Sequence, residues 1–347
     1  MRAFDTPTVL LIGLGAVGRA VGGRLAASAG AEIIGAVDLA PALNGAELAS
    51  IVEGAAPGAR VSASITDAPD ADVAFVATTS FAAQVEPIIA ELLDRGMNVV
   101  TICEELGYGF YDHEPIARRL DEHARRAGLT VLGTGCNPGI LLDTLPLLLS
   151  SLTLGVDRIT IRRTAEMSGY GGILSKFGFG LDADQFAQRR EAGEVIGHVG
   201  FRESIAALAG GLGWALDEIV VDAPEPVLFT SHERTTSQVV LAAGTIAALR
   251  HAARGIVDGR VVVDASIDFG ILEPADGFPD GDRWMIESGA QTLEFSSSRI
   301  DSASSTVAVA SNVIPSVPAA LPGLLTMADL PPRHVAARAH TAGRAGR

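Results

Sequence analysis

Residues 8–38 constrain the fold more than any other stretch. Thr8-Val-Leu-Leu-Ile12 is a continuous apolar run, Gly13-Leu-Gly15-Ala-Val-Gly18 a glycine turn, residues 19–27 a helical segment, and Ala31 to Asp38 a second apolar run that closes on an acid. Strand, tight turn, helix and strand in that order make a βαβ unit of the dinucleotide-binding kind. Gly13 permits the turn out of the strand, Gly15 lets backbone approach a pyrophosphate, and Gly18 lets helix and strand pack closely. Leu14, Ala16 and Val17 complete a loop whose helix amides point at the phosphates. Asp38, twenty residues after Gly18, is placed to accept hydrogen bonds from both ribose hydroxyls. No Lys or Arg in Leu39-Ala-Pro-Ala-Leu-Asn44 would neutralise a 2′-phosphate, which favours NAD and leaves NADP as the alternative.

The start of the chain loosely imitates a secretory signal, with Met1-Arg2, an apolar run and Ala27-Ser-Ala29. Asp5 in the would-be basic region and Arg19 and Arg24 inside the apolar run argue against it, so no export signal is expected. At 347 residues two domains are expected. A formal charge of −15 argues against a nucleic-acid partner, which would need clustered Lys and Arg. Two cysteines, Cys103 and Cys136, make neither a disulfide framework nor a zinc site by spacing, so no metal and a reducing cytoplasm are expected. The most apolar segment, Ile140 to Val156, is broken by Asp143, Pro146 and Ser150-Ser151, and no membrane span is expected.

Further strands are expected at Arg60–Ile65, Ala71–Ala77, Gly96–Ile102 and Thr130–Gly133, with helices at 46–53, 81–95 and 114–127. Six strands alternating with helices imply an α/β fold, an N-terminal Rossmann-type doubly wound parallel sheet over residues 1–144. Thr78, Thr79 and Ser80 stand at the carboxyl end of their strand, where ligands of such sheets bind; Ser80 also suits a helix N-cap. After 144 the pattern changes. Arg158 to Thr164 alternates polar and apolar, as a strand with one wet face does. Helices near 183–192 and 205–212 and strands at 217–222, 239–241, 260–269 and 283–293 suggest a second α+β domain of mixed or antiparallel sheet over 145–302. One side of that sheet is expected to meet substrate and the other a second copy of the chain. Residues 303–332 are expected to return to the first sheet as a helix and capping loop, and 333–347 to be a disordered tail.

Hydride chemistry needs a group that handles protons where the nicotinamide lies. Glu104 follows a buried strand at that sheet edge and is the first candidate; its neighbour Glu105 reads as an outward or helix-start charge. Arg162 or Arg163 could pair with a substrate carboxylate, or lie exposed on the strand's wet face. Cys136 has no histidine or lysine nearby in sequence to lower its thiol pKa and reads as an inert wall.

Thr101-Ile-Cys-Glu-Glu-Leu106, Gly133-Thr-Gly-Cys-Asn-Pro-Gly-Ile-Leu-Leu-Asp143, Gly197-His-Val-Gly-Phe-Arg-Glu-Ser204, Leu212-Gly-Trp214 and the run from Asn312 to Pro331 resemble the 2,4-diaminopentanoate dehydrogenase family. That family includes native NAD(P)H-dependent amine dehydrogenases and sits within a dihydrodipicolinate-reductase-like group. The resemblance implies a homodimer that interconverts an amine with a ketone or aldehyde and ammonia. It implies Glu104 as the catalytic residue and a pocket formed by Cys136, Asn137, Ile140 and His198, with Asn312 near the nicotinamide; Thr164 and Tyr170 are expected to meet substrate as well. Gly107-Tyr-Gly-Phe-Tyr111 departs from the family's aromatic-proline pair, and residues 162–172 match poorly where substrate choice is expected to be set. Two other functions compete. A dihydrodipicolinate-type reductase would want a paired-histidine stretch followed by a lysine, whereas the sole lysine is Lys176 in another context. A non-catalytic NAD sensor would need none of the later motifs.

Overall fold

The computed structural model describes residues 6–28, 30–170, 174–289 and 291–332. The tail expected to be disordered, 333–347, lies outside them. The first part runs β1 (Thr8–Ile12), α1 (Ala16–Ala27), β2 (Glu32–Val37), β3 (Val61–Ser62), β4 (Val73–Val76), α2 (Ala82–Asp94), β5 (Asn98–Thr101), α3 (Glu114–Ala127), β6 (Thr130–Gly133) and α4 (Thr144–Ser150). The second runs β7 (Arg158–Glu166), α5 (Leu174–Phe177), α6 (Ala183–Glu191), α7 (Phe201–Leu212), β8 (Glu218–Val221), β9 (Glu225–Phe229), β10 (Arg234–Thr235), β11 (Val240–Leu241), β12 (Ile246–Val257), β13 (Arg260–Gly270), β14 (Asp282–Ser288) and β15 (Gln291–Ser297). The chain then closes with α8 (Ser302–Val313) and β16 (Gly323–Leu325).

Seven parallel strands in the order β16-β6-β5-β4-β1-β2-β3 form the first sheet. β1 and β4 are buried on both faces, as crossover helices require of a parallel sheet. The topology reverses between β1 and β4, which puts the glycine turn after β1 beside the carboxyl ends of β4 and β5. α8 packs on α1, and β16 adds a strand beside β6 where a capping loop was expected. Two bonds explain the extra strand: Gly323 donates to the Leu129 carbonyl, and the Leu324 amide to Asp121 Oδ1 at 2.9 Å.

The second sheet is mixed, in the order β15-β14-β7-β13-β12-β8, with β9 also on β12. β7 is parallel to β13 and antiparallel to β14, so it lies in the middle of the sheet. Its inner face, with Ile159, Ile161, Ala165, Val263, Ile267 and Ile286, joins α7 in one apolar core.

The structure corrects several expectations. Residues 46–53 form only a short 3-10 turn at Leu48–Ser50, because Gly45 and Gly54 take left-handed backbone and Glu47 bridges to Arg60. Residues 283–293 are not one strand: β14 and β15 fold back as a hairpin at Gly289, φ +39°. β12, twelve residues and central to the sheet, was not anticipated. Ser80 does not cap α2; Phe81 takes that position and Ser80 turns toward Glu104. No helix among the described residues is long and apolar enough to cross a membrane.

Candidate active site

A cavity of about 280 Å³ opens where the carboxyl edge of the first sheet meets the inner face of the second. Val17 of the glycine loop, Ser80, Ile102 and Glu104 line it from one side, and Ala165, Met167, Phe177, Ile267 and Phe269 from the other.

The glycine loop is shaped for an anion. A Cβ on Gly13 (φ +95°) would sit 2.7 Å from the Ala77 carbonyl oxygen, and one on Gly18 would collide with the Gly13 carbonyl, so both are closed by packing. A Cβ on Gly15 would meet nothing within 4 Å, which leaves open space over the loop. No side chain caps α1 and no acid stands in its first turn, so the residues present fit a pyrophosphate at this helix start. Asp38 is fixed beside the loop: its Oδ2 accepts from the Leu14 amide and its Oδ1 from the Ala40 amide, each at 2.8 Å. Thr78 packs against Gly13. Thr79 is occupied locally, donating to Gln84 Oε1 at 2.8 Å and accepting from the Phe81 amide.

Glu104 begins a one-turn 3-10 helix (Glu104–Leu106) at the end of β5. Burial pushes its carboxyl above the ordinary range; a hydrogen bond from the Ser80 hydroxyl opposes this, and the adjacent Glu105 charge adds to it. Glu105 points the other way. Its Oε2 accepts from the Ala82 amide at 2.6 Å, and its amide donates to the Ser80 carbonyl. A carboxylate from a different loop therefore caps α2 and fastens the Glu104 turn to the Ser80 loop. Glu105→Ala is expected to cost about 1 kcal/mol, the usual worth of a lost cap, read as a Tm lower by a few degrees. Recovery of most of it by Glu105→Gln would confirm the cap, and an unchanged alanine variant would remove it.

Of the two arginines weighed on β7, the pleat sends Arg163 inward and Arg162 outward. Arg162 is half exposed and bonds Asp264 at 2.8 Å on the outer face. Arg163 lines the cavity, 1% exposed, and pairs with Asp282 at 3.1 Å. Asn137 lines the cavity beside it, its amide oxygen accepting from Arg163 and its NH2 donating to the Cys136 carbonyl at 2.8 Å. Burial raises the Cys136 thiol despite the nearby Arg163 charge, so the wall it makes is an unionised one. Tyr170 also lines the cavity, its phenol pushed up to about 12 chiefly by burial. His198 completes this side, its imidazole pushed down to about 3 by burial first and then by His251 and Arg163.

Three residues expected at the pocket stand elsewhere. Thr164 is buried on the outer side of β7, its amide donating to Asp282 Oδ1. Ile140 and Asn312 line a second groove with Leu145, Val309 and Met327. Ser302, Ala303 and Thr306 are the α8 residues at the cavity; Asn312, six residues beyond Thr306, lies about 9 Å further along the axis. Met167, Phe177, Phe269 and Ser302 were missed as lining residues, and β7's alternation was the one available signal for Arg163. Among the described residues no three His, Cys, Asp or Glu side chains gather as a metal-binding group.

Comparison with known proteins bears on the whole chain. The family model described as the 2,4-diaminopentanoate dehydrogenase C-terminal domain matches residues 140–343. The chain is 30% identical over 328 residues to the 2,4-diaminopentanoate dehydrogenase of Acetoanaerobium sticklandii, covering 93% of each protein. Among solved structures, an amine dehydrogenase from Mycobacterium smegmatis superposes with a TM-score of 0.82 at 23% identity, covering 96% of this chain and 98% of that one. GenD2 from gentamicin A biosynthesis, solved with NAD, superposes with a TM-score of 0.51 at 15% identity over 85% of this chain and 74% of that one. These two likenesses concern the fold.

Proposed function

The chain belongs to the 2,4-diaminopentanoate dehydrogenase family, and we propose that it is an NAD(P)-dependent amine dehydrogenase in which Glu104 binds the amine and handles its protons. One observation carries the reading: the Glu104 carboxylate lines the same cavity as Val17 of the glycine loop, so it faces the place where the reacting end of a dinucleotide would lie. When bound, the nicotinamide supplies or accepts a hydride.

The chain's own residues do the rest. In the aminating direction ammonia attacks the carbonyl carbon, the C–N bond forms, and Glu104 takes a proton from the nitrogen. The alkoxide left on the carbonyl oxygen takes the one proton drawn from solvent, the same carboxyl then gives its proton to the hydroxyl so formed, which leaves as water, and the Glu104 anion faces the iminium to which hydride would be delivered. The balance is ketone, ammonia, NADH and one proton to amine, NAD and water. Met167, Phe177 and Phe269 keep bulk water from the iminium. The Tyr170 phenol stays protonated and the His198 imidazole neutral, so both act as hydrogen-bonding groups and not as charges.

Asp38 supports NAD over NADP, because its carboxylate is held where a 2′-phosphate would meet a like charge. Asp38→Ser is expected to raise KM for NADH roughly tenfold or more, the worth of hydrogen bonds to a charged group, with little change for NADPH. Equal losses with both cofactors would deny it the ribose role. The outer face of the second sheet, laddered with Arg162–Asp264 and Arg250–Asp268 pairs, supports a homodimer built through that face. A cytoplasmic location agrees with two buried free cysteines.

The test is NADH consumption against short ketones, aldehydes and keto acids, with and without concentrated ammonium at alkaline pH. Oxidation that requires ammonium is expected. Equal oxidation without it would make the protein a carbonyl or imine reductase.

A further inference from the structure

We infer that His251 is a positioning residue for the cavity: as a neutral ring accepting at Nδ1, it holds the backbone of His198 and so aims the His198 imidazole at the substrate. The inference rests on the cavity being the amine site.

The wall that carries Ile196, Gly197, His198 and Val199 has no regular structure; it crosses between α6 and α7. Two main-chain bonds tie it down. The Ile196 amide donates to the Lys176 carbonyl at 3.0 Å, and the His198 amide donates to His251 Nδ1 at 2.8 Å. An amide can only donate, so Nδ1 must carry its lone pair and the ring proton must sit on Nε2. That atom lies 2.8 Å from the Asp222 carbonyl and donates to it. Both ring nitrogens are thereby used, which fixes the tautomer as well as the orientation.

His251 belongs to β12, opposite Ile267 of β13, and Ile267 lines the cavity. It is 5% exposed. A Cβ on Gly197 would collide with its imidazole, so the wall lies directly on the ring. Phe201, the first residue of α7, packs edge-on against both rings, with centroids 4.9 Å from His198 and 5.0 Å from His251. Asp222 and, through it, Arg254 are the charges beside His251, while Arg163 is the charge beside His198. Burial outweighs Asp222 and holds His251 in its neutral form.

What the hook presents is an unfilled hydrogen bond. His198 Nε2 is shielded from solvent, has no hydrogen-bond partner among the described residues, and belongs to a side chain on the cavity wall. Leaving a buried polar atom unpaired is costly, and a turn of the ring toward the cavity would bring it to a substrate heteroatom.

His251→Phe keeps a ring under Gly197 and beside Phe201 but removes the acceptor. It is expected to lower kcat/KM for the carbonyl or amine about tenfold, the worth of one hydrogen bond in a polar site, with the Kd for NADH unchanged. The decisive measurement is a double-mutant cycle with His198→Ala. His251→Phe should then cost less than about twofold, because the ring it aims is gone. A full loss in the His198→Ala background would make His251 merely structural and overturn the inference, as would no loss in the wild-type background. His251→Asn, with an amide oxygen near the Nδ1 position, should recover part of the activity.

The cycle is run on whichever carbonyl the wild type turns over, with and without ammonium. Turnover without ammonium would defeat the amine dehydrogenase reading while still scoring the cycle. If nothing turns over, the ¹⁵N spectrum of the histidines in the NADH complex decides: His251→Phe must move the His198 imidazole resonances, and unchanged resonances overturn the inference.

Discussion

Glu104→Gln is expected to slow ammonium-dependent NADH oxidation about 10³-fold, in the middle of the range for losing a positioned acid–base group. The Kd for NADH should stay within about twofold, since Glu104 stands at the cavity and outside the glycine loop that would hold the pyrophosphate. Glutamine keeps the shape and the bond from Ser80 but can neither take nor return a proton. The pH profile separates this role from a packing role. Burial raises the Glu104 carboxyl, and the reacting form is the anion, so wild-type kcat/KM, compared at constant free ammonia, should rise with pH through that elevated value. The rising limb should vanish in the glutamine variant. A variant with wild-type turnover would remove Glu104 from the chemistry, and a large rise in Kd for NADH would make it a cofactor-binding residue.

How far the site was legible in the sequence depends on whether its parts are local. The glycine turn and Asp38 are one continuous βαβ unit, so spacing alone placed Gly13, Gly15, Gly18 and the acid in mutual reach. Glu104 was legible because it ends a buried strand, and the ends of parallel strands are where ligands bind. The opposite wall was not. Met167, Phe177, Ile267 and Phe269 come together only through β7–β13 pairing, about a hundred residues apart, and no local period encodes that register. β12 escaped for a different reason. Ile246-Ala-Ala-Leu-Arg-His-Ala-Ala-Arg is rich in alanine and arginine, which favour helix, and only pairing with β13, β8 and β9 makes it a strand. His251 sits in that strand and carried no signal of its own. Arg162 and Arg163 differ by one residue, which in a strand means opposite faces; once the strand is central, one is an outer-face charge and the other a cavity group. Asn312 was placed near the cavity by resemblance, whereas α8 carries it past the opening.

Glu203→Gln is expected to stabilise the protein at alkaline pH and to do nothing near pH 4.5. Glu203 is buried on α7, with Glu105 and Asp112 nearby and His113 Nε2 3.8 Å away. Burial first, and then the Asp112 and Glu105 charges, push its carboxyl up to about 7 from 4.5, against a hydrogen bond from its own backbone and the weaker pull of Arg202. The raised value means that folding disfavours the charged form. Stability linked to this group is fully present below pH 4.5, is lost as pH rises toward 7, and stays lost above. A difference of that size corresponds to about 3 kcal/mol at pH 8. Glutamine is the permanently neutral analogue of the same shape and escapes the loss, so its Tm should exceed the wild-type value by several degrees at pH 8 and match it at pH 4.5. Equal Tm at both pH values would mean that burial does not disfavour the Glu203 anion and would overturn the expectation. The position matters because α7 begins at the His198 wall and packs against the Glu104 turn, so a charge held there sits within the support of the Glu104 carboxylate. A stabilised Glu203→Gln variant with altered turnover would mean that this support gives up stability for activity.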